Sequence, residues 1–271
     1  MKRMIVDFLL TSGMLPVAHN ALLLAATLSP KSLARNLHFR LGRNRETLPI
    51  PRPWARLLVA GSTDVPGFLE TGRRGFDCIR ETLERNGTPI SSLKDILDFG
   101  CGCGRVLRHW EGHTDKRLYG SDMNDDLVQE ARRCVPFASI SKNSLVGGVS
   151  FADRSFDLVY AFSVLTHLDV EGQRAWLAEF RRLLRPGGIL LLSLHGTAYR
   201  ERLSGNEIRT FDSGKPVIRR SQYAGGNLCS SFHPESYVRT SMTEGFAIVD
   251  VVSQGAKGNP PQDLYMLKRI D

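Results

Sequence analysis

Nowhere in the 271-residue sequence do 18 apolar residues run uninterrupted, so no bilayer-spanning helix is expected. Met1-Lys2-Arg3 and the largely apolar stretch from Met4 to Leu28 imitate a signal peptide, but Asp7, His19 and Asn20 interrupt it and no A-x-A cleavage site follows. The five cysteines (Cys78, Cys101, Cys103, Cys134 and Cys229) are odd in number and lack framework spacing. That argues against a disulfide scaffold and for a reducing, cytoplasmic setting. Cys101 and Cys103 make half of a zinc site with no second pair to complete it, so no metal is expected. Internal repeats and low-complexity tracts are also missing.

What is present is a chain with 42% hydrophobic residues, enough for a full core in one large α/β domain with an N-terminal addition. Lys and Arg total 36 against 28 Asp and Glu, a net charge of +8. This favours an anionic partner such as a phosphorylated substrate, nucleic acid or an acidic membrane, although charge this dispersed also describes an ordinary basic surface. Residues 4–28, followed by Lys31, Arg35, Arg40, Arg43 and Arg45, fit a helical cap packed on the domain or an interfacial helix in peripheral membrane contact. Pro49, Pro51, Pro53, Pro66 and Gly61 make 46–66 read as a non-helical linker. The expected division is therefore 1–66, cap and linker, and 67–271, the main domain.

A helix is predicted from Phe68 to about Arg85, where Phe68, Leu69, Phe76, Ile79 and Leu83 share a face. From Asp95 onward, short apolar runs alternate with helical patterns, the signature of parallel βαβ units. Strands are predicted at Asp95–Phe99, Arg117–Ser121, Phe137–Ser141, Phe156–Phe162, Ile189–Leu194, Ala247–Val252 and Leu264–Lys268, with helices at Arg105–Glu111, Asp125–Cys134, Val170–Leu184 and Pro234–Glu244. The fold class is a Rossmann-like, doubly wound, mostly parallel seven-stranded sheet. Residues 196–232, too long for an ordinary connection, read as an inserted lid before the penultimate helix, with a hairpin from Val217–Tyr223 to Asn227–Phe232 across Gly225-Gly226.

The chemistry-bearing motif is Asp98-Phe99-Gly100-Cys101-Gly102-Cys103-Gly104, at the end of the first strand. Glycines let the backbone turn and approach a nucleotide-like ligand, and a helix starting near Arg105 would offer free N–H groups. A carboxylate two residues before the first glycine repels a pyrophosphate and attracts a cation such as the ammonium of a methionine moiety. That disfavours a nicotinamide dinucleotide and favours S-adenosylmethionine. Asp122, at the end of the next strand, stands where an acidic residue binds both ribose hydroxyls.

Taken in order, Asp98 to Arg105, Asp122, Phe156-Asp157-Leu158-Val159-Tyr160 with Thr166-His167-Leu168, and Leu184-Arg185-Pro186-Gly187-Gly188 resemble the motifs of class I S-adenosylmethionine-dependent methyltransferases across roughly residues 68–270. Asn227-Leu228-Cys229, His233-Pro234 and Gln262-Asp263-Leu264-Tyr265 look like a bacterial small-molecule branch of that family. The resemblance implies that Asp98 and the backbone around Gly100, Cys101 and Gly102 face the methionine portion, that Asp122 holds the ribose and that Met123 packs on adenine. Lys142-Asn143-Ser144 stands where the family often has an acidic residue near the adenine amine, leaving Asn143 or Ser144 for that contact. Phe162 would line the methyl-donor pocket or belong to the core.

Methylation of a hydroxyl or acidic carbon benefits from a general base, and His167, His195 and His233 lie where sheet-edge residues meet ligands. Each also fits a structural role, and Asp263 is a further candidate. Arg73, Arg74, Arg219 and Arg220 are candidates for holding an anionic acceptor or for a solvated charged face. A small-molecule acceptor, methylated on oxygen or carbon with S-adenosylhomocysteine as product, is the favoured expectation. The alternatives are a nucleic-acid methyltransferase, a non-catalytic S-adenosylmethionine-binding scaffold and a nicotinamide-dependent oxidoreductase. Against a nucleic-acid acceptor, the fourth strand ends Tyr160-Ala161-Phe162-Ser163, without the Asn/Asp-Pro-Pro-aromatic motif of base-amine methylation.

Overall fold

The computed structural model describes residues 29–42, 46–145, 148–258 and 260–271. The expectations for residues 4–28, a cap or a membrane-contacting helix, lie outside the described residues. So do Arg43 and Arg45 of the basic run. The chain divides into two compact units, residues 1–70 and 71–271. None of the described helices is long and apolar enough to cross a membrane.

In the first unit, α1 (Pro30–Leu41) buries none of its residues, and α2 (Pro53–Ala60) forms inside the stretch expected to be non-helical. The proline rule was applied too broadly: Pro53 stands at the helix start, where no N–H is needed, and Gly61 ends the helix in the left-handed conformation (φ 67°). α3 (Val65–Arg85) begins three residues earlier than predicted, its first turn capped by the Asp64 carboxylate, which accepts from the Gly67 N–H at 2.9 Å.

The second unit is built on β1 (Asp95–Phe99), β2 (Arg117–Asp122), α4 (Asp125–Cys134), β3 (Ser139–Lys142), β4 (Phe156–Ala161), α5 (Val170–Leu183) and β5 (Leu184–Leu194). It continues through α6 (Gly205–Asp212), β6 (Val217–Arg219), β7 (Ser230–Phe232), α7 (Glu235–Ser241), β8 (Phe246–Ala256) and β9 (Gln262–Arg269). The main sheet has seven strands in the order β3-β2-β1-β4-β5-β9-β8. Its first five are parallel, and β9 is antiparallel to both β5 and β8, the mostly parallel doubly wound sheet expected. Alternate residues of each central strand serve opposite faces. Leu97, Val159 and Leu190 pack under α5 residues Trp176, Phe180 and Leu183, while Ile96, Leu158 and Leu191 pack with Ile79 and Leu83 of α3 and Ala131 of α4.

Two local differences matter. No α-helix follows the glycine turn; a short 3₁₀ turn, Leu107–Trp110, replaces the helix expected at Arg105–Glu111. Only seven residues separate Gly104 from Gly112, both at positive φ (82° and 88°), and the fully buried Trp110 anchors the segment between them. The expected hairpin is shorter than predicted, Val217–Arg219 pairing antiparallel with Ser230–Phe232. Residues 196–232 also form a 3₁₀ turn (Thr197–Arg202) and α6, which opens on a Ser204–Glu207 capping box. Tyr199, Leu203, Phe211, Val217 and Phe232 give this insertion a small core of its own.

Far from the site, Arg185 of the Pro-Gly-Gly turn ties the starts of the central strands together, reaching Asp95 on β1 at 2.7 Å and Asp157 on β4. Asp157 in turn accepts from the Lys94 and Asp95 N–H groups at 2.8 and 2.9 Å. Phe180 is fully buried and meets Phe99 edge-on, with ring centroids 4.8 Å apart, directly beneath the end of β1. Phe180→Ala is expected to destabilise the protein by about 3–5 kcal/mol, read as a lower denaturation midpoint at unchanged m; a midpoint within error of wild type would show that this packing is dispensable.

Candidate functional site

β1 leads to β2 on one side while its other neighbour, β4, leads to β5, so the strand order reverses between β1 and β4. In open α/β sheets this is where a crevice opens beyond the strand ends. Asp98, one residue before the end of β1, is only 4% exposed, and its Oδ2 has no hydrogen-bond partner. Burial pushes its carboxyl up to about 7 against the opposing pull of the Tyr160 hydroxyl, Arg105 and the Leu107 N–H, with Asp122 adding to the rise. Tyr160 pairs with Asp98 across β1 and β4, and its oxygen accepts from Trp110 Nε1 at 3.1 Å. An unpartnered carboxylate oxygen in so dry a place is suited to receive a cation.

The turn that follows is latched to β2. The Gly100 and Cys101 N–H groups donate to the Ser121 carbonyl at 2.7 and 3.0 Å. The Gly102 N–H donates to Asp122 Oδ2 at 2.9 Å, and Asp122 Oδ1 accepts from Asn124 N–H at 2.9 Å. Gly100 has φ 74°, and a Cβ there would come within 2.3 Å of Val164 Cγ2. This corrects the expectation of free N–H groups at a helix start: the amides of Gly100, Cys101 and Gly102 already serve the latch. Each oxygen of Asp122 retains acceptor capacity beyond its one amide. Its burial raises its pKa, opposed by the amides of Asn124, Gly102 and Met123.

Met123 is 37% exposed at the β2 tip. The insertion reaches it: a Cβ on Gly225 would lie 3.0 Å from Met123 Sδ, and the Gly225 N–H donates to the His167 carbonyl at 2.7 Å. Asn143 is buried beside Asp122, its Oδ1 accepting from Ser121 Oγ at 2.8 Å and its Nδ2 donating to the Ser144 carbonyl at 2.9 Å; Ser144 is exposed. Phe162 is half-buried, edge-on to Tyr160 at 5.8 Å, and packs on Cys78 and Leu264.

The three histidines separate clearly. His167 Nδ1 lies 2.9 Å from the Cys229 carbonyl, and His195 Nδ1 lies 3.1 Å from the Ser231 carbonyl. A carbonyl only accepts, so both rings carry their proton on Nδ1 and turn an unprotonated Nε2 outward. Burial lowers the pKa of both, in His195 to about 4, against the opposing effect of each carbonyl. His233 is fully buried with neither ring nitrogen partnered, and burial pushes it down to about 3. That placement leaves His233 the least accessible of the three.

Asp263 accepts from the Gln254 N–H at 2.9 Å and from Ser253 Oγ at 3.3 Å, holding a kink in β8 where Gln254 has φ 50°. Arg219 grips Glu207 with two nitrogens at 2.8 and 2.6 Å, and Arg220 Nε donates to the Leu228 carbonyl at 2.6 Å, so both arginines brace the insertion. Arg73 and Arg74 are exposed on α3. Sequence reasoning missed a polar ring across three strands. Ser163, with φ 61°, donates its N–H to Ser193 Oγ at 2.7 Å; Ser193 donates to Gln262 Oε1 at 2.6 Å, and Gln262 Nε2 returns to Ser163 Oγ at 2.8 Å. Its members are 30 to 99 residues apart in sequence, so no local pattern announces it. Among the described residues no three His, Cys, Asp or Glu side chains converge as metal ligands.

A seven-stranded sheet with an antiparallel final pair, opening after β1 on an acidic glycine turn, is the Rossmann-like methyltransferase fold. Residues 96–188 match the family described as the methyltransferase domain. It is 37% identical over 100 residues to a sterol 24-C-methyltransferase of Aspergillus fumigatus, a match covering 35% of this chain and 26% of that protein. It is 32% identical over 114 residues to a malonyl-[acyl-carrier protein] O-methyltransferase of Hahella chejuensis, covering 41% and 39%. The chain thus spans well under half the length of these curated relatives. An S-adenosylmethionine-dependent methyltransferase structure from Mesorhizobium loti shares the fold, with a TM-score of 0.51 at 18% identity over 71% of this chain and 98% of that one.

A carboxylate such as that of Asp98 can pair with an ammonium only when ionised. S-adenosylmethionine affinity is therefore expected to be full above about 7 and to fall as the pH drops below it, by roughly tenfold per unit where the protonated form does not bind. Calorimetry across pH 5.5 to 8.5 checks this; a profile as flat in wild type as in Asp98→Asn would refute the ammonium role.

Proposed function

We propose that this protein transfers a methyl group from S-adenosylmethionine to a small-molecule acceptor, on oxygen or carbon. The observation that carries the reading is the buried, unpartnered Oδ2 of Asp98 beside the latched glycine turn. It suits the ammonium of the donor's methionine end and opposes a pyrophosphate. Asp122 would take the ribose hydroxyls with its remaining lone pairs, Met123 the adenine face, and Asn143 or Ser144 the adenine edge. Phe162 would help line the pocket around the methyl group.

When bound, the donor supplies an electrophilic methyl group whose bond to sulfur breaks, the electron pair staying on sulfur, as the bond to the acceptor forms. The protein's work is then alignment and the exclusion of water. His195 would accept the acceptor's proton on Nε2 while its Nδ1–H stays on the Ser231 carbonyl. His167, held in the same tautomer, is the second candidate base. We assign residues 67–271 to the donor-binding domain and 196–232 to a lid over the acceptor. The curated relatives, one a C- and one an O-methyltransferase, support the small-molecule reading without choosing the atom.

Asp122→Ala and Asp98→Ala should each weaken S-adenosylmethionine binding by about 1.5–3 kcal/mol, since each removes charged hydrogen bonds. Wild-type affinity in both folded variants would reject the site. His195→Ala should lower kcat by about 10²–10⁴-fold with donor affinity intact, read as S-adenosylhomocysteine release across hydroxylated and carbon-acid acceptors. A nucleic-acid acceptor would instead show RNA binding that falls steeply with salt. Donor binding without turnover of any acceptor class would favour the scaffold reading.

A further inference from the structure

Directly after β5 and His195, the 3₁₀ turn Thr197–Arg202 carries two side chains that join an aromatic cluster. The His195 ring lies 4.2 Å from that of Tyr199 and 5.3 Å from that of Phe232. Arg202 places its guanidinium carbon 4.5 Å from the Tyr199 centroid, and Arg219 places its own 5.1 Å from that of Phe232. Tyr199 and Phe232 are themselves 6.4 Å apart, so the three rings form a triangular cluster, with Arg202 on Tyr199 and Arg219 on Phe232.

The two cations are not equivalent. Arg219 is neutralised by its two-nitrogen grip on Glu207. Arg202 is exposed, and among the described residues no carboxylate lies against it. It is nonetheless not a loose surface charge. Tyr199 is buried and fixed by its hydroxyl, which donates to the Pro261 carbonyl at 2.9 Å, so the ring under Arg202 is a firm platform. A guanidinium stacked on such a ring keeps its donor edges free at little further entropic cost, the arrangement suited to a planar or tetrahedral oxyanion. Arg202 and the candidate base His195 thus contact the same Tyr199 ring.

We propose that Arg202 holds an anionic group of the methyl acceptor beside Nε2 of His195, making the acceptor a small oxyanion-bearing molecule, a carboxylate or a phosphate ester, with its nucleophile a few bonds from the charge. This rests on the methyltransferase reading above, but the anion site has its own readout. It also moves the anion-binding role away from Arg219 and Arg220, which the fold consumes, to a residue that composition did not distinguish.

The test follows the His195 and Tyr199 ring resonances by NMR while inorganic phosphate, and separately acetate, is added at ionic strength held constant with chloride. It is run on the protein alone and on the protein loaded with S-adenosylhomocysteine. A saturable shift of both rings is expected, with apparent Kd raised at least tenfold in Arg202→Ala and partly recovered in Arg202→Lys. Whichever anion binds more tightly distinguishes phosphate-bearing from carboxylate-bearing acceptors. In turnover, an anionic acceptor should be preferred over its amide or free alcohol through KM, and Arg202→Ala should erase that preference. An unmoved His195 resonance, or an identical titration in Arg202→Ala, overturns the proposal. Loss of S-adenosylhomocysteine binding in the wild-type protein would instead overturn the donor site, and the titration of the unloaded protein would still decide the anion site.

Discussion

The latch between the first two strands sets the geometry of the whole donor end. One carbonyl, that of Ser121, takes two amides of the glycine turn, and one carboxylate, that of Asp122, takes a third. These contacts force the chain to fold back at the end of β1 rather than run on into a helix, and they place Asp98 at the floor of the bend and Asp122 at its wall. They also explain why Gly100 is irreplaceable: its positive φ and the contact with Val164 leave no room for a side chain. Asp122 therefore shapes the turn and remains available to a ligand, and both roles use the same pair of oxygens.

Within that frame the decisive quantity is hydration. A carboxylate at the surface gains little from one more cation, because water already solvates it. Asp98 has lost that water: it is 4% exposed, one oxygen has no partner, and burial outweighs the stabilising pull of Tyr160, Arg105 and Leu107. A carboxylate so placed bears a desolvation cost that a neighbouring ammonium would relieve, which would draw affinity and charge selectivity from the same source. Tyr160 is part of this design. Its oxygen receives the Trp110 indole proton, which leaves the phenolic hydrogen for the carboxylate side.

The sequence announced the parts of the fold that rest on local rules. Alternating apolar runs located all seven strands of the main sheet, and Asp98, the glycine turn and Asp122 were legible as candidates because they are particular residue types at fixed places along consecutive strands. The failures have physical causes. α2 was lost because Pro53 was counted as a breaker when it stands at the one helical position that tolerates it. α6 carried a readable capping box in Ser204 and Glu207 that was not weighed. The helix after the glycine turn was expected from the alternation of strands and helices, but Gly104, Gly112 and the buried Trp110 permit only a tighter turn. The Ser163–Ser193–Gln262 ring was out of reach, since it exists only once β4, β5 and β9 are side by side.

The same backbone that orients the candidate bases also touches the donor end. Carbonyls at Cys229 and Ser231 fix the tautomers of His167 and His195, while Gly225, a few residues earlier, binds the His167 carbonyl and lies against Met123. Between these contacts runs only a short, turn-rich segment, braced by Arg220 on the Leu228 carbonyl. The contact with Met123 and the carbonyls that hold the two imidazoles therefore lie on one short stretch of backbone. The insertion's own core, from Tyr199 to Phe232, anchors the surroundings of that stretch through Phe211 of α6 and Val217 of β6.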